Sequence, residues 1–209
     1  AAPGTDSLLR SEARWLAPVL GLLALAGALV GIPFAAGFLD VDVPVFGGGH
    51  AQESPAPEAG VALPVVQAAG LDPQGDGSEN DHALGALTDA DPQTTWRTDL
   101  YHSAAFGGLK DGVGFWVDLG ASHRLRSVVL TATTPGVAYE VHVADRPAPT
   151  VAGWRRLAAV PAAAATEQLR FEPPVTGRYL LVWVTANLQP DGRRYKAEFS
   201  ELVVHGSPA

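Results

Sequence analysis

The stretch that decides the fold is Gly177-Arg178-Tyr179-Leu180-Leu181-Val182-Trp183-Val184-Thr185. Its middle residues are apolar at consecutive positions, and they are rich in the β-branched and aromatic types that strands favour. A strand that is apolar on both of its faces is covered on both faces. The stretch therefore predicts a buried central strand within a β-rich domain.

Shorter segments elsewhere in the chain are also typical of strands, because they alternate between apolar and polar residues and have turn residues between them. They are Gly114–Gly120, Arg126–Thr133, Tyr139–Val143 and Phe199–His205. After residue 60 no segment repeats its apolar residues at the 3.6-residue period of a helix. Many short strands predict an antiparallel sandwich or barrel.

Composition excludes several classes of function. The chain has no cysteine, which excludes disulfides, thiolate catalysis and zinc sites with cysteine ligands. Its net charge of −8 argues against binding nucleic acid, which usually requires a basic face. The common catalytic motifs are absent, and the six histidines are not spaced as metal ligands. We therefore expect a domain that is not an enzyme.

Near the start of the chain, Trp15–Leu39 contains no charged residue. A helix needs about 20 apolar residues to cross a bilayer core, and this segment is long enough. Arg10 and Arg14 precede it, whereas Asp40 and Asp42 follow it. Because basic residues are retained on the cytoplasmic side, the pattern predicts a single-pass cell-membrane protein with a cytoplasmic N-terminus and an extracytoplasmic C-terminal domain.

A cleaved secretory signal is the alternative for this segment, since Ala35-Ala36-Gly37 offers small residues for cleavage. The apolar part of a signal is about 7–15 residues long, so the longer segment favours a retained span. Gly27 and Gly31 are spaced as in helices that pack closely, and they indicate a possible helix–helix partner in the membrane. The alternative is that small residues are simply frequent in this chain.

The sequence thus predicts five regions. They are a cytoplasmic stub (1–14), a transmembrane helix (15–39), a linker rich in glycine and proline (40–60), an extracytoplasmic β-sandwich (61–206) and a short tail (207–209). The linker is too poor in large apolar residues to fold. The chain contains no methionine, and its short first region suggests a piece of a longer protein.

Four motifs resemble, in the same order, those of discoidin domains, which are also called coagulation factor 5/8 type C or galactose-binding-like domains. The motifs are Asp89–Trp96, Phe115–Gly120, Arg178-Tyr179 and Glu201–Gly206. The resemblance implies an all-β fold, an eight-stranded jelly-roll sandwich. The expected architecture is this sandwich preceded by one transmembrane helix.

A narrower resemblance is to the C-terminal region of actinobacterial MviN/MurJ-type proteins. It is carried by Trp96–Tyr101, Phe106–Gly114, Tyr179–Val184, Asp191-Gly192 and Phe199–Glu201. In that family a lipid II flippase precedes a cytoplasmic pseudokinase-like domain, a single span and an outer discoidin-like domain. The resemblance implies a role beside peptidoglycan synthesis. It implies no transport, because the flippase and pseudokinase parts are absent from this sequence.

In related carbohydrate-binding sandwiches the turn before the conserved tryptophan holds a structural Ca²⁺, which a glutamate of the last strand completes. The matching residues here are Asp89, Asp91, Thr94 and Glu201. Carboxylate and carbonyl oxygens are the ligands that Ca²⁺ prefers. Ala90 departs from the glycine of the family motif, and an Asp/Pro turn without an ion is the alternative.

Candidate ligand-binding residues lie in the loops that cluster at one end of the sandwich in discoidin domains. They are aromatic or imidazole side chains, with arginines close by that could hold an anionic group at two points. The set is Arg97, Tyr101, His102, Phe106, Arg193, Arg194 and Tyr195. Trp96 and Trp183 are assigned to the core, since aromatic residues dominate the buried area of sandwiches. A solvated surface without a ligand is the alternative.

Two functions follow from these patterns. The first is a membrane-anchored binding module that recognises a cell-envelope glycan or a peptidoglycan precursor. The second is a domain that docks on a protein of the wall-synthesis machinery without binding a glycan.

Overall fold

The computed structural model describes residues 60–209. The predicted stub, the predicted transmembrane helix with Gly27 and Gly31, and the linker up to residue 59 lie outside the described residues. Within the described part, no helix combines the length and apolar character needed to cross a bilayer.

Ten strands and three short 3₁₀-helices make up residues 60–209. The strands are β1 (Val61–Ala62), β2 (Gln67–Leu71), β3 (Trp96–Arg97), β4 (Val113–Ala132), β5 (Ala138–Ala144), β6 (Arg155–Val160), β7 (Thr166–Ala186), β8 (Gln189–Asp191), β9 (Arg194–Lys196) and β10 (Glu198–Pro208). The 3₁₀-helices are Asp81–Leu87, Phe106–Gly108 and Val151–Gly153.

All the strand pairs in this region are antiparallel. Eight strands form one continuous sheet in the order β1-β10-β4-β7-β5-β6, with β2 paired to β4 and β3 paired to β10. Strands β8 and β9 form a separate hairpin. The prediction of an all-β domain is confirmed.

The two long strands β4 and β7 belong to both layers of the sandwich. The first half of β4 pairs with β2 and with Tyr179–Val184, and its second half pairs with β10 and with Thr166–Arg170. The pairing of β4 with β7 shifts between Asp118 and His123. Gly120 lies in this break with φ of +80°, a conformation that favours glycine. The two strands predicted as Gly114–Gly120 and Arg126–Thr133 are therefore halves of one strand.

The main core lies between the two layers. Trp96, Phe115 and Phe199 are fully buried there, and the ring of Trp96 meets that of Phe115 edge to face with centroids 4.7 Å apart. Aromatic pairs of this geometry add to the stability that burial alone gives. The assignment of Trp96 to the core is confirmed.

The predicted central strand is covered on both faces. Leu180 and Val182 are part of the main core. Leu181 and Trp183 are also buried, but they pack in a second cluster with Trp154. Trp154 directly follows the 3₁₀-helix Val151–Gly153, so this segment covers the outer face of the sheet. This second cover explains why the strand is apolar at consecutive positions.

The sandwich has two ends, which we call distal and proximal. The distal end carries the loops 72–80, 98–112 and 187–197. The proximal end contains residues 119–124 of β4 and the site where the described chain begins. There β1 pairs with β10, and Val61 lies opposite Gly206. Strand β10 continues to Pro208, two residues beyond the predicted end of the domain at Gly206.

Candidate functional site

Two of the loops that the sequence singled out meet at the distal end. The backbone N–H of Tyr101 donates to the carbonyl of Tyr195, and the N–H of Tyr195 donates to the carbonyl of Tyr101. The N···O distance is 2.9 Å in both hydrogen bonds. The N–H of Leu188 donates to the carbonyl of Ala104 over 3.1 Å. Loops 98–112 and 187–197 are therefore joined by backbone hydrogen bonds.

This junction brings together two of the predicted ligand-binding residues, which are 92 positions apart in sequence. Nη1 of Arg194 lies 3.2 Å from Nε2 of His102, and it also donates to the carbonyl of Leu100 over 3.4 Å. Both side chains are exposed. Arg193 precedes Arg194 and is exposed as well, next to Gly192 with φ of +62° in the hairpin turn.

Two other predicted ligand residues belong to the same loop but are buried. Tyr101 is 9% exposed and Phe106 is 1% exposed, and their rings meet edge to face with centroids 5.0 Å apart. The phenol of Tyr101 points inward because it donates to the carboxylate of Glu79. The two rings form the base beneath the loop and, contrary to the prediction, offer no face to a ligand.

The remaining two candidates are half-buried. Tyr195 lies on β9. Arg97 lies on β3, opposite Glu198 of β10 in the β-ladder.

The structure adds two residues that the sequence pattern does not indicate. Leu100 is 40% exposed and Leu109 is 78% exposed, in the same loop as His102. For Leu109 the available signal was the preceding pair Gly107-Gly108, which is typical of an exposed turn, whereas the neighbours of Leu100 in sequence give no such signal.

A buried carboxylate holds the loop from below. Glu79 is fully buried. Its Oε1 accepts hydrogen bonds from the backbone N–H of Asp99, at a distance of 2.6 Å, and from the hydroxyl of Tyr101, at a distance of 3.0 Å. Its backbone carbonyl accepts from Nε1 of Trp96 over 2.8 Å. Burial raises the pKa of Glu79 to about 7, against the lowering effect of these hydrogen bonds.

Lys110 connects the same loop to loop 72–80. Its Nζ lies 2.6 Å from Oδ2 of Asp72, donates to the hydroxyl of Tyr101 over 3.1 Å, and is 5.1 Å from the centre of that ring. Oε2 of Glu79 lies farther away, at 3.9 Å. Asp72 is 3% exposed, so this ion pair is largely removed from water. The network fixes the loop that carries His102.

The predicted metal turn is closed by its own hydrogen bonds. The hydroxyl of Thr94 donates to Oδ2 of Asp89 over 2.8 Å, and the N–H of Asp91 donates to Oδ1 of Asp89 over 3.0 Å. The bond from Asp91 lowers the pKa of Asp89. Ala90 has φ of +61° and adopts the left-handed conformation that the glycine of the family motif favours.

Glu201 faces this turn from β10. Burial raises its pKa, and the charges of Asp89 and Asp91 raise it further. Its Oε1 is buried without a hydrogen-bond partner. These oxygens are of the type that Ca²⁺ prefers, and the unpartnered oxygen of Glu201 fits the role of a cation ligand. In the described part of the chain, however, no three carboxylate or histidine side chains already converge as metal ligands.

No family model matches the sequence. Two of the solved structures with a similar fold show the likeness. One is the CBM32 of AlyQ in complex with 4,5-unsaturated mannuronic acid, with a TM-score of 0.51 and 12% identity over 69% of this chain and 97% of that chain. The other is chitosan-binding module 1 derived from the chitosanase/glucanase of Paenibacillus sp. IK-5, with a TM-score of 0.50 and 21% identity over 70% of this chain and 98% of that chain.

The fold is similar to that of a CBM32 module. At these identities the likeness establishes the fold and leaves the ligand to be argued from this chain's own residues. It does agree with the jelly-roll sandwich that the four sequence motifs imply.

Proposed function

We propose that residues 61–206 form a glycan-binding module without catalytic activity, and that the glycan binds at the distal end against His102 and Arg194. The observation that carries the proposal is the contact between these two exposed side chains on loops joined by backbone hydrogen bonds. The two modules of similar fold support it, since one is described as bound to an unsaturated mannuronic acid and the other as chitosan-binding.

The chemistry of this surface suits a saccharide. The guanidinium of Arg194 can hold a carboxylate or a pair of hydroxyls at two points, and His102 supplies a second hydrogen-bonding group beside it. Leu100 and Leu109 offer apolar surface to the C–H face of a sugar ring. Because the network around Glu79 and Lys110 already orders the loop, binding does not have to order it.

The cellular context of the proposal rests on the sequence alone. The apolar segment 15–39 would anchor the module to the cell membrane with its N-terminus in the cytoplasm. The resemblance to MviN/MurJ-type proteins favours a cell-envelope glycan or a peptidoglycan precursor as the ligand. In this reading the module works beside the wall-synthesis machinery.

We also propose that Asp89, Asp91, Thr94 and Glu201 hold a structural Ca²⁺. The unpartnered oxygen of Glu201 and the two nearby aspartates support this proposal. A bound cation would offset the repulsion among the three carboxylates and link the turn to β10.

The test is a titration of the full chain with muropeptides and with oligosaccharides of neutral and acidic sugars. We expect saturable binding that Arg194→Gln weakens about tenfold, the effect of losing one hydrogen bond to a charged group. Arg124→Gln is the matched control, because it removes an exposed arginine at the opposite end and should leave binding unchanged. If no ligand saturates the protein at millimolar concentration, the glycan proposal is wrong and docking on a protein becomes the better hypothesis.

A further inference from the structure

Two adjoining clefts at the proximal end are lined by arginines. The first, of about 530 Å³, is lined by Arg146 and Arg155. The second, of about 550 Å³, is lined by Arg155, Arg156 and Arg170. Arg155 and Thr176 belong to both clefts, so the two form one continuous depression.

Much of the positive charge in these clefts is not neutralised by the protein. Nη1 of Arg156 donates to Oε1 of Glu140 at a distance of 2.7 Å. Nη2 of Arg170 donates to Oε1 of Gln168, a neutral side chain, at a distance of 3.0 Å. Within residues 60–209, Arg146 and Arg155 form no ion pair or hydrogen bond with another side chain.

Two acidic residues also line the depression, Asp145 in the first cleft and Glu172 in the second. They are fewer than the four arginines. The whole chain is acidic, with a net charge of −8, so a local excess of arginine is unusual for it. Arginine is the side chain best suited to hold phosphate oxygens at two points.

We propose that this depression binds a phosphate-bearing group through Arg146, Arg155 and Arg170. Arg155 lies between the two clefts and contacts the group from the centre, while Arg146 and Arg170 approach it from either side. The site is separate from the glycan surface at the distal end, and it does not depend on that surface binding a glycan.

The position of the depression suggests two sources for the phosphate. The described chain begins at the same end, because Gly206 pairs with both Val61 and Leu125, and Arg124 beside Leu125 pairs with Thr176 of the clefts. A lipid headgroup near the start of the domain and a soluble phosphate polymer offer the same chemistry. The experiment has to separate them.

The first arm is calorimetric titration of the full chain, held in phosphatidylcholine nanodiscs, with inorganic polyphosphate. The wild type is compared with the pair Arg155→Gln/Arg170→Gln, with Arg155→Gln alone, and with Arg156→Gln, which removes one charge from the same cleft at a side chain already paired with Glu140. We expect the pair to weaken polyphosphate binding by about tenfold or more, as for lost hydrogen bonds to charged groups, and Arg156→Gln to weaken it less than Arg155→Gln does. Equal weakening by Arg155→Gln and Arg156→Gln, or no weakening by either, overturns the proposal.

The second arm identifies the source. Because the chain has no cysteine, Ala121→Cys places a single fluorophore at the proximal end and Ala105→Cys places one at the distal end. The labelled proteins are reconstituted in vesicles of phosphatidylcholine, with or without phosphatidylglycerol, that contain a lipid-borne quencher. Quenching at position 121 that requires phosphatidylglycerol and is lost in Arg155→Gln/Arg170→Gln indicates a lipid headgroup. Polyphosphate binding without such quenching indicates a soluble polymer.

A glycan titration of the same variants keeps the two proposals apart. Loss of phosphate binding with glycan binding retained supports the phosphate site alone. Retained phosphate binding with no glycan binding at all contradicts only the proposed function.

Discussion

Arg178 and Asp118 form a two-point ion pair across strands β7 and β4. Nε of Arg178 lies 2.7 Å from Oδ1 of Asp118, and its Nη2 lies 2.8 Å from Oδ2. Each residue belongs to one of the sequence motifs shared with discoidin domains, Phe115–Gly120 and Arg178-Tyr179. Two motifs that are 60 positions apart are thus the two sides of one contact.

Replacing Asp118 by Asn should lower the free energy of unfolding by about 1 kcal/mol at neutral pH. The pair is geometrically favourable, but Arg178 is partly exposed, which limits its contribution. The hydrogen bond from Arg178 lowers the pKa of Asp118, so its stabilisation is present at neutral pH and is lost as the pH falls through that lowered pKa. Urea denaturation at neutral and acidic pH measures both effects. Arg156→Gln, at a more exposed pair, should change stability less.

The stability of the domain should fall as the pH rises from about 5 to about 7.5. Burial raises the pKa of Glu79 to about 7 from 4.5, so the folded state holds a proton that the unfolded state has released. A shift of this size corresponds to roughly 3 kcal/mol. Glu79→Gln removes the titrating group and should flatten the dependence. A wild-type protein whose urea midpoint is constant over this range would contradict the raised pKa.

Removing Lys110 should destabilise the distal end strongly. Lys110→Met leaves the carboxylate of Asp72 buried without its partner, and such a change costs about 3 kcal/mol or more. The double variant Lys110→Met/Asp72→Asn should recover a large part of this loss, because position 72 then no longer carries a buried charge without a partner. A double-mutant cycle in urea gives the coupling energy, and additive single effects would show that the pair contributes little.

Calcium should stabilise the wild-type domain and not the variant Glu201→Gln. At a concentration one hundred times Kd, a ligand that binds the folded state alone adds about 2.7 kcal/mol. Thermal unfolding with Ca²⁺ and with EDTA measures this difference. Asp145→Asn, an exposed acid at the other end, is the matched control and should respond like the wild type. An unchanged wild-type midpoint would argue for a turn without an ion.

The sequence predicted the sheet well where burial on both faces leaves a clear pattern, as in Leu180–Val184. It predicted two strands where there is one, because the break around Gly120 resembles a turn between strands. The sequence also missed β6, whose residues Arg155 and Arg156 carry charge where an alternating pattern would have an apolar residue.

The candidate site was predicted only in part. His102 and Arg194 meet as expected of loops that share one end of the fold. The sequence pattern places Tyr101 and Phe106 on the surface, because it does not reveal that a carboxylate 22 positions away draws the phenol of Tyr101 inward. Glu79 follows a loop rich in Gly and Asp, and nothing in its neighbours in sequence indicates full burial.

The short strand β1 has a mechanical consequence. A pulling force transmitted along the chain that precedes Val61 reaches the domain first at two residue pairs, Val61 with Gly206 and Ala62 with His205, and then at the hydrogen bond from Leu63 to Val204. These two pairs can separate one after the other while the long strands β4 and β7 stay paired. The loops that carry His102 and Arg194 are at the opposite end, so a ligand could stay bound while the attachment yields under tension.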